Sequence, residues 1–178
     1  MQNANLVSLR ARVAAAAFLA LAVAGCGSGK TSDQDSSQKT VWDHFAIGVG
    51  GHPAMLQVAV LPAEQERGLM QRSDLGRDEG MIFVNPSPRR LGFWMHNTPE
   101  ALDLGYITPD GVIAEIYPLL PFDERTVSSH SDQVQHALEM PQGWFASNGI
   151  RPGARLDLKA LGAALKARGF EPAKFRLE

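Results

Sequence analysis

The chain has 178 residues, one cysteine, and 17 basic against 19 acidic side chains, for a formal net charge of −2. This charge provides no basic footprint, so we expect no nucleic-acid partner. A single cysteine excludes an intrachain disulfide and a cysteine-rich zinc site, and a hydrophobic content of 44% excludes a wholly disordered chain.

The first 25 residues have the features of a secretory signal peptide. Arg10 and Arg12 precede an unbroken run of apolar and small residues from Val13 to Gly25. A basic start followed by an apolar stretch and small residues is typical of an export signal. The run is shorter than the roughly 20 apolar residues that a membrane-spanning helix needs. We therefore expect residues 1–25 to be removed on export.

Cys26 directly follows Val23-Ala24-Gly25, and residues 23–26 resemble a bacterial lipobox. In such a motif the cysteine is lipidated and becomes the new N-terminus. Several acyl chains on one residue anchor a protein stably, since each buried CH₂ contributes about 0.8 kcal/mol. Because Gly27 rather than an aspartate follows, we expect the anchor to lie on the periplasmic face of the outer membrane. The alternative is a chance cysteine beside an ordinary signal peptide.

Residues 26–53 are interpreted as a flexible tether, because 27–40 (GSGKTSDQDSSQKT) is polar and without periodicity. The folded domain is expected over residues 54–158, followed by a C-terminal helix and tail over 159–178. Its predicted strands, bounded by turn residues, are 55–61, 80–84, 92–95, 102–108, 112–117, 134–140 and 154–158. A short helix is predicted over 63–72. Seven short strands predict a mainly β domain, a compact sandwich or barrel-like fold with short helices.

Several distinct short motifs follow one another along this folded part. They are Glu66-Arg67-Gly68-Leu69-Met70, Gly80-Met81-Ile82-Phe83-Val84, Phe93-Trp94-Met95-His96-Asn97-Thr98, Leu102-Asp103, Ala137-Leu138-Glu139-Met140-Pro141 and Gly143-Trp144-Phe145. In this order, over about residues 55–158, they resemble the DUF192 family of bacterial and archaeal proteins. The resemblance implies a compact β-sandwich-like domain, often exported, and no particular reaction. The family usually carries Lys where this chain has His96.

Trp94 and Trp144 are candidate ligand contacts. In Phe93-Trp94-Met95, strand alternation places Trp94 on the face opposite to its neighbours, where its ring offers a stacking platform for a sugar. The alternative for both tryptophans is a position in the hydrophobic core. Arg67 is a candidate to grip a carboxylate or phosphate with its planar guanidinium.

Asp103 and Glu139 are carboxylates set in apolar strands, so each must reach solvent or be paired. Arg67 is the expected partner, either in an ion-pair network that fixes helix to sheet or in a ligand pocket. A hydrolytic alternative uses the two carboxylates as acid and base, the pKa of one raised by the other. The five histidines show no ligand spacing, so we expect neither a metal site nor a cofactor.

The sequence therefore predicts an exported, lipid-anchored binding or accessory module for a carbohydrate or small anionic ligand, rather than an enzyme. Two alternatives stay open. One is an envelope hydrolase acting through Asp103 and Glu139, and the other is a structural or assembly protein whose motifs only hold the fold. The candidate pocket residues are Arg67, Met70, Trp94, His96, Asn97, Asp103, Glu139 and Trp144.

Overall fold

The computed structural model describes residues 38–177. The predicted signal peptide, the predicted lipidation site at Cys26 and the first part of the predicted tether lie outside these residues. Between residues 38 and 177, no helix is both long enough and apolar enough to cross a membrane.

In the described part of the chain, eight strands form two sheets. In chain order they are β1 (Phe45–Val49), β2 (His52–Ala59), β3 (Glu79–Val84), β4 (Gly92–Phe93), β5 (Leu102–Ile107), β6 (Ile113–Leu119), β7 (Val127–Ser128) and β8 (His136–Pro141). Six of them make one sheet in the order β1-β2-β3-β8-β5-β6, while β4 and β7 pair separately. Only the β2–β3 pair in the large sheet is parallel. The mainly β prediction is confirmed, and within the described residues the large sheet does not close into a barrel.

Both faces of the large sheet are covered. Within residues 38–177 the strands are accompanied by three helices and one 3₁₀ helix. These are α1 (Pro62–Arg67), α2 (Trp144–Ser147), α3 (Leu158–Ala167) and the 3₁₀ helix Pro172–Phe175. Strand alternation sends Ile82 and Val84 of β3 into one cluster with the residues of α2 and α3. It sends Met81 and Phe83 into a second cluster formed with the loops around β4 and β7. We call these the helical face and the groove face.

The folded domain begins earlier than the predicted boundary at residue 54. Strand β1 lies inside the segment predicted to be a flexible tether and pairs antiparallel with β2. Its inward side chains Ile47 and Val49 are fully buried. The short strand was missed because glycines at 48, 50 and 51 interrupt its apolar alternation and weaken the strand signal.

Two predicted elements differ from the structure. The predicted last strand over 154–158 forms only isolated bridges, Val49 with Leu156 and Val112 with Arg155. The chain then turns directly into α3, because the Asp157 side chain accepts a hydrogen bond from the Ala160 N–H and caps the helix. Helix α1 is shorter than predicted and ends before Gly68, whose φ of +48° breaks the helix.

Candidate functional site

Helix α1 places Arg67 at the rim of a surface groove. The helix begins at Pro62, and the Glu64 carboxylate accepts hydrogen bonds from the Val60 and Leu61 N–H groups, both at 2.9 Å. At its other end, a Cβ on Gly68 would lie 3.4 Å from the ring of Phe83 on β3. The end of the helix therefore packs closely on the sheet, and this fixes where Arg67 leaves the backbone.

The segment after β4 presents Trp94 on the same surface. Phe93 turns inward and packs edge-to-face on Phe83 with ring centroids 4.8 Å apart. Met95 is buried, and its N–H donates to the Asp123 carbonyl at 2.8 Å. Trp94 between them faces the other way, as strand alternation predicts, and stays 48% exposed. Anchors on both sides therefore hold an aromatic ring out in solvent.

His96 extends this aromatic surface. Its ring stacks on Trp94 with centroids 4.9 Å apart and planes inclined by 19°. Its Nδ1 lies 2.6 Å from Glu124 Oε1. Asn97 follows with a φ of +52°, and its carbonyl accepts a hydrogen bond from the Gln71 N–H at 2.7 Å. The turn at Asn97, which the sequence predicts, is thus joined by this hydrogen bond to the loop after α1.

The Trp94 groove is the surface groove between these two segments, with a volume of about 510 Å³. It brings together five of the eight residues that the sequence singled out. Those five are Arg67, Met70, Trp94, His96 and Asn97.

Arg67 is held by an aromatic ring and not by a carboxylate of the described residues. Within residues 38–177 it makes no ion pair, and its guanidinium lies over the ring of Trp42, 4.8 Å from the centroid. The expected ion pair of Arg67 with Asp103 or Glu139 is therefore absent from the described residues. A cation–π contact holds the arginine and leaves its donors free for a ligand.

Glu139 forms the floor of a small cavity that adjoins the groove. This Glu139 pit has a volume of about 30 Å³ and shares Arg67, Met70 and Trp94 with the groove. Glu139 is only 4% exposed, and burial raises the pKa of its carboxyl to about 8. The pit therefore holds an acid whose proton is retained near neutral pH.

The remaining two predicted residues lie elsewhere. Asp103 pairs across the sheet with Met140 of the helical face, and its Oδ2 accepts a hydrogen bond from the Gly143 N–H at 2.8 Å. Burial raises the pKa of this carboxyl. Trp144 is buried on the helical face, and its Nε1–H donates to Asp78 Oδ1 at 2.9 Å. Neither residue lines the groove. Trp144 lies instead in the hydrophobic core, which was the alternative position for this residue.

The structure adds residues to the site that the sequence did not single out. Trp42 supports Arg67 from within the segment taken as a tether. Glu66 lines both the groove and the pit, and Phe83 and Phe93 line the pit. The sequence did carry a signal for Trp42, because a large apolar ring is unusual in a polar, flexible tether.

Comparison with protein families identifies the family to which the domain belongs. The DUF192 family profile, whose description reads "Uncharacterized ACR", matches residues 45–158. The chain belongs to the DUF192 family. The matched DUF192 region begins with β1 and ends at the start of α3, so it includes every strand and both cavities. No match was found among curated proteins.

Two crystal structures are similar to this DUF192 protein. One is a protein of Sinorhizobium meliloti 1021, provisionally named a transcription regulator, with 31% identity and a TM-score of 0.62 over 66% of this chain and 95% of that chain. The other is a protein of unknown function from Novosphingobium aromaticivorans DSM 12444. It has 33% identity and a TM-score of 0.60 over 64% of this chain and 84% of that chain.

Proposed function

We propose that this DUF192 protein is a binding module whose Trp94 groove takes a carbohydrate or a small anionic ligand. The observation that carries the proposal is the state of Arg67. It lines the groove beside an exposed tryptophan, and within residues 38–177 no carboxylate neutralises it.

The groove offers both kinds of contact that such a ligand needs. Trp94 provides an apolar ring that is 48% exposed and held by buried neighbours, which suits stacking on a sugar. The guanidinium of Arg67 provides a planar set of donors that suits a carboxylate or phosphate. A third cavity of about 380 Å³ adjoins the pit, and its charged lining residues are Arg89, Arg90 and Glu66. The two cations outnumber the one carboxylate and so add modestly to the preference for an anion.

A hydrolase finds less support in the same geometry. The two carboxylates expected to act together belong to opposite faces of the sheet, Glu139 with the groove face and Asp103 with the helical face. A role as a transcription regulator, which is the provisional name of the Sinorhizobium protein, also finds less support, because a chain of net charge −2 has no basic footprint for nucleic acid.

The three tryptophans allow a direct test by NMR of their indole N–H signals. The full chain is titrated with glucuronate, glucose and inorganic phosphate, and each indole is assigned with a Trp→Phe variant. We expect a saturable shift of Trp94 with at least one probe and no shift of Trp144, which is buried on the helical face. Absence of a saturable Trp94 shift with all three probes would overturn the proposal.

We also propose that the module is exported and held at the cell envelope by lipid on Cys26, on the outer membrane's periplasmic face. The support is the apolar run and the lipobox-like residues 23–26. Cys26→Ser is expected to move the protein from the membrane fraction to the soluble fraction. Unchanged fractionation of that variant would contradict the anchor.

A further inference from the structure

Glu139 is a buried acid for which the described part of the chain provides no partner. Within residues 38–177 its carboxyl accepts no hydrogen bond and joins no ion pair, although the residue is only 4% exposed. Its cross-strand neighbours on the groove face are Met81 and Leu104, which are both buried and apolar. An ionised carboxylate in such a place is costly unless a partner arrives from outside.

The lining of the pit combines aromatic rings with polar side chains. The rings are Phe83, Phe93 and Trp94, and the polar residues include Gln65, Glu66 and Thr98. The electron-rich faces of aromatic rings attract cations. Arg67 is the one basic side chain among the described residues that line the pit, and it is held over Trp42 instead of reaching the carboxyl. A buried acid beside aromatic rings therefore offers a place for a cation that no basic side chain of residues 38–177 fills.

The size of the pit limits the cation. A volume of about 30 Å³ admits roughly one water-sized group. A primary ammonium has that size, whereas a trimethylammonium or a sugar ring does not. We propose that the Glu139 pit binds the primary ammonium group of a ligand whose remainder lies in the Trp94 groove.

The identity of that remainder rests on the proposed function. An ammonium on a sugar gives an amino sugar, and an ammonium beside a carboxylate gives an amino-acid-like zwitterion whose anion reaches Arg67 at the rim. Both share the same ammonium chemistry. Glucosamine compared with glucose, and alanine compared with lactate, distinguish the two sources by calorimetry, because exchanging the ammonium for a hydroxyl removes the charge at nearly the same size.

Binding of the ammonium should be coupled to proton release. Burial raises the pKa of Glu139 to about 8, and an ammonium stabilises the ionised form and lowers that pKa. The other titratable groups at the site are Glu66 and Arg67 in the lining and Tyr106. The pKa of Tyr106 is raised by burial and, to a smaller extent, by Glu139.

The pKa of Glu139, measured with small ammonium ions, tests the pit alone and needs no ligand in the groove. The carboxyl carbon of Glu139 is followed by NMR against pH in the full chain, in methylammonium chloride and in tetramethylammonium chloride at equal ionic strength. Glu139→Gln assigns the signal. We expect methylammonium to lower the pKa of Glu139 by about one pH unit, a tenfold preference for the ionised form, and the larger ion to have no comparable effect.

Equal responses to the two salts would mean ionic screening and would overturn the proposal, as would the absence of any response to methylammonium. A rise in the pKa of Glu139 in methanol, with no fall in methylammonium, would also overturn it in favour of a hydroxyl ligand. Failure of the indole titrations with a positive methylammonium result would reject the groove ligand and leave the pit assignment standing.

Discussion

Asp103 and Glu139 occupy adjacent strands but face opposite sides of the same sheet. In the β5–β8 register Asp103 pairs with Met140, while Leu104 pairs with Glu139. Since successive side chains of a strand alternate between faces, no single substrate bond can lie between the two carboxylates. The acid of the pit therefore acts without Asp103.

Asp103 should then matter to stability and not to binding. Its carboxylate accepts one hydrogen bond, from the Gly143 N–H just before α2. Asp103→Ala is expected to lower the free energy of unfolding by about 1 kcal/mol and to leave the indole shift of Trp94 unchanged in a ligand titration. Loss of that shift in a folded variant would place Asp103 at the ligand.

Two arginines form a matched pair that separates binding from folding. Arg168 is buried, pairs with Glu64 and donates to the Val58 carbonyl, whereas Arg67 is exposed and rests on Trp42. Arg168→Ala should lower the free energy of unfolding by about 3–5 kcal/mol, because the partly buried Glu64 carboxylate loses its cation and the Val58 carbonyl loses its donor. Arg67→Ala should lower it by about 1 kcal/mol or less and weaken binding of an anionic probe.

Chemical denaturation and calorimetry on the two variants provide the measurement. A large loss of stability in Arg67→Ala, with binding of the anionic probe unaffected, would favour the structural alternative for this motif.

Glu139 should reduce stability at high pH. Its folded pKa is raised by burial from 4.5 to about 8, so the folded state holds the proton more tightly than the unfolded state. Its stabilising contribution is complete below pH 4.5 and is lost as pH rises to about 8. Glu139→Gln lacks this loss and should be more stable than the parent chain by a few kcal/mol at pH 9, at roughly 1.4 kcal/mol per pKa unit.

The difference between the two unfolding free energies, measured by denaturant titration from pH 4.5 to 9, is the informative quantity. A difference that does not change with pH would show that Glu139 is not held in its acid form.

His136 should have the opposite pH dependence. The side chain is fully buried, neither ring nitrogen has a hydrogen-bond partner within residues 38–177, and burial lowers its pKa to about 4. A lowered pKa means that its contribution is present above the unfolded value of about 6.5 and is lost as pH falls towards 4. His136→Leu should remove this acid-dependent loss.

Stability measurements at pH 7.5, 5.5 and 4.5 on the parent chain and His136→Leu test the point. The parent should lose more stability than the variant on acidification, and parallel curves would contradict the account. Separate variants are needed because, between pH 4.5 and 6.5, Glu139 and His136 change the free energy of unfolding in opposite directions.

Much of the fold could be predicted from the sequence, but the site could be predicted only in part. Apolar runs bounded by turn residues locate β3, β5 and β6, because each of these strands has six or seven residues. The same patterns miss β7, which has two residues and is defined by its pairing with β4. Local sequence likewise places Trp94 on the face opposite to Phe93 and Met95, but it does not decide whether that face is exposed. It also cannot supply Trp42, whose contact with Arg67 spans 25 residues of chain. The face on which Glu139 meets the groove depends on strand register, which only the assembled sheet determines.

The central claim is that the Trp94 groove binds a ligand. The most direct test is calorimetry with glucuronate, glucose and inorganic phosphate on the parent chain and on Trp94→Ala. We expect at least one probe to bind the parent and to bind the variant about tenfold more weakly, with the free energy of unfolding unchanged because the ring is 48% exposed. Equal affinity in the two proteins, or no binding of any probe to the parent, would contradict the account.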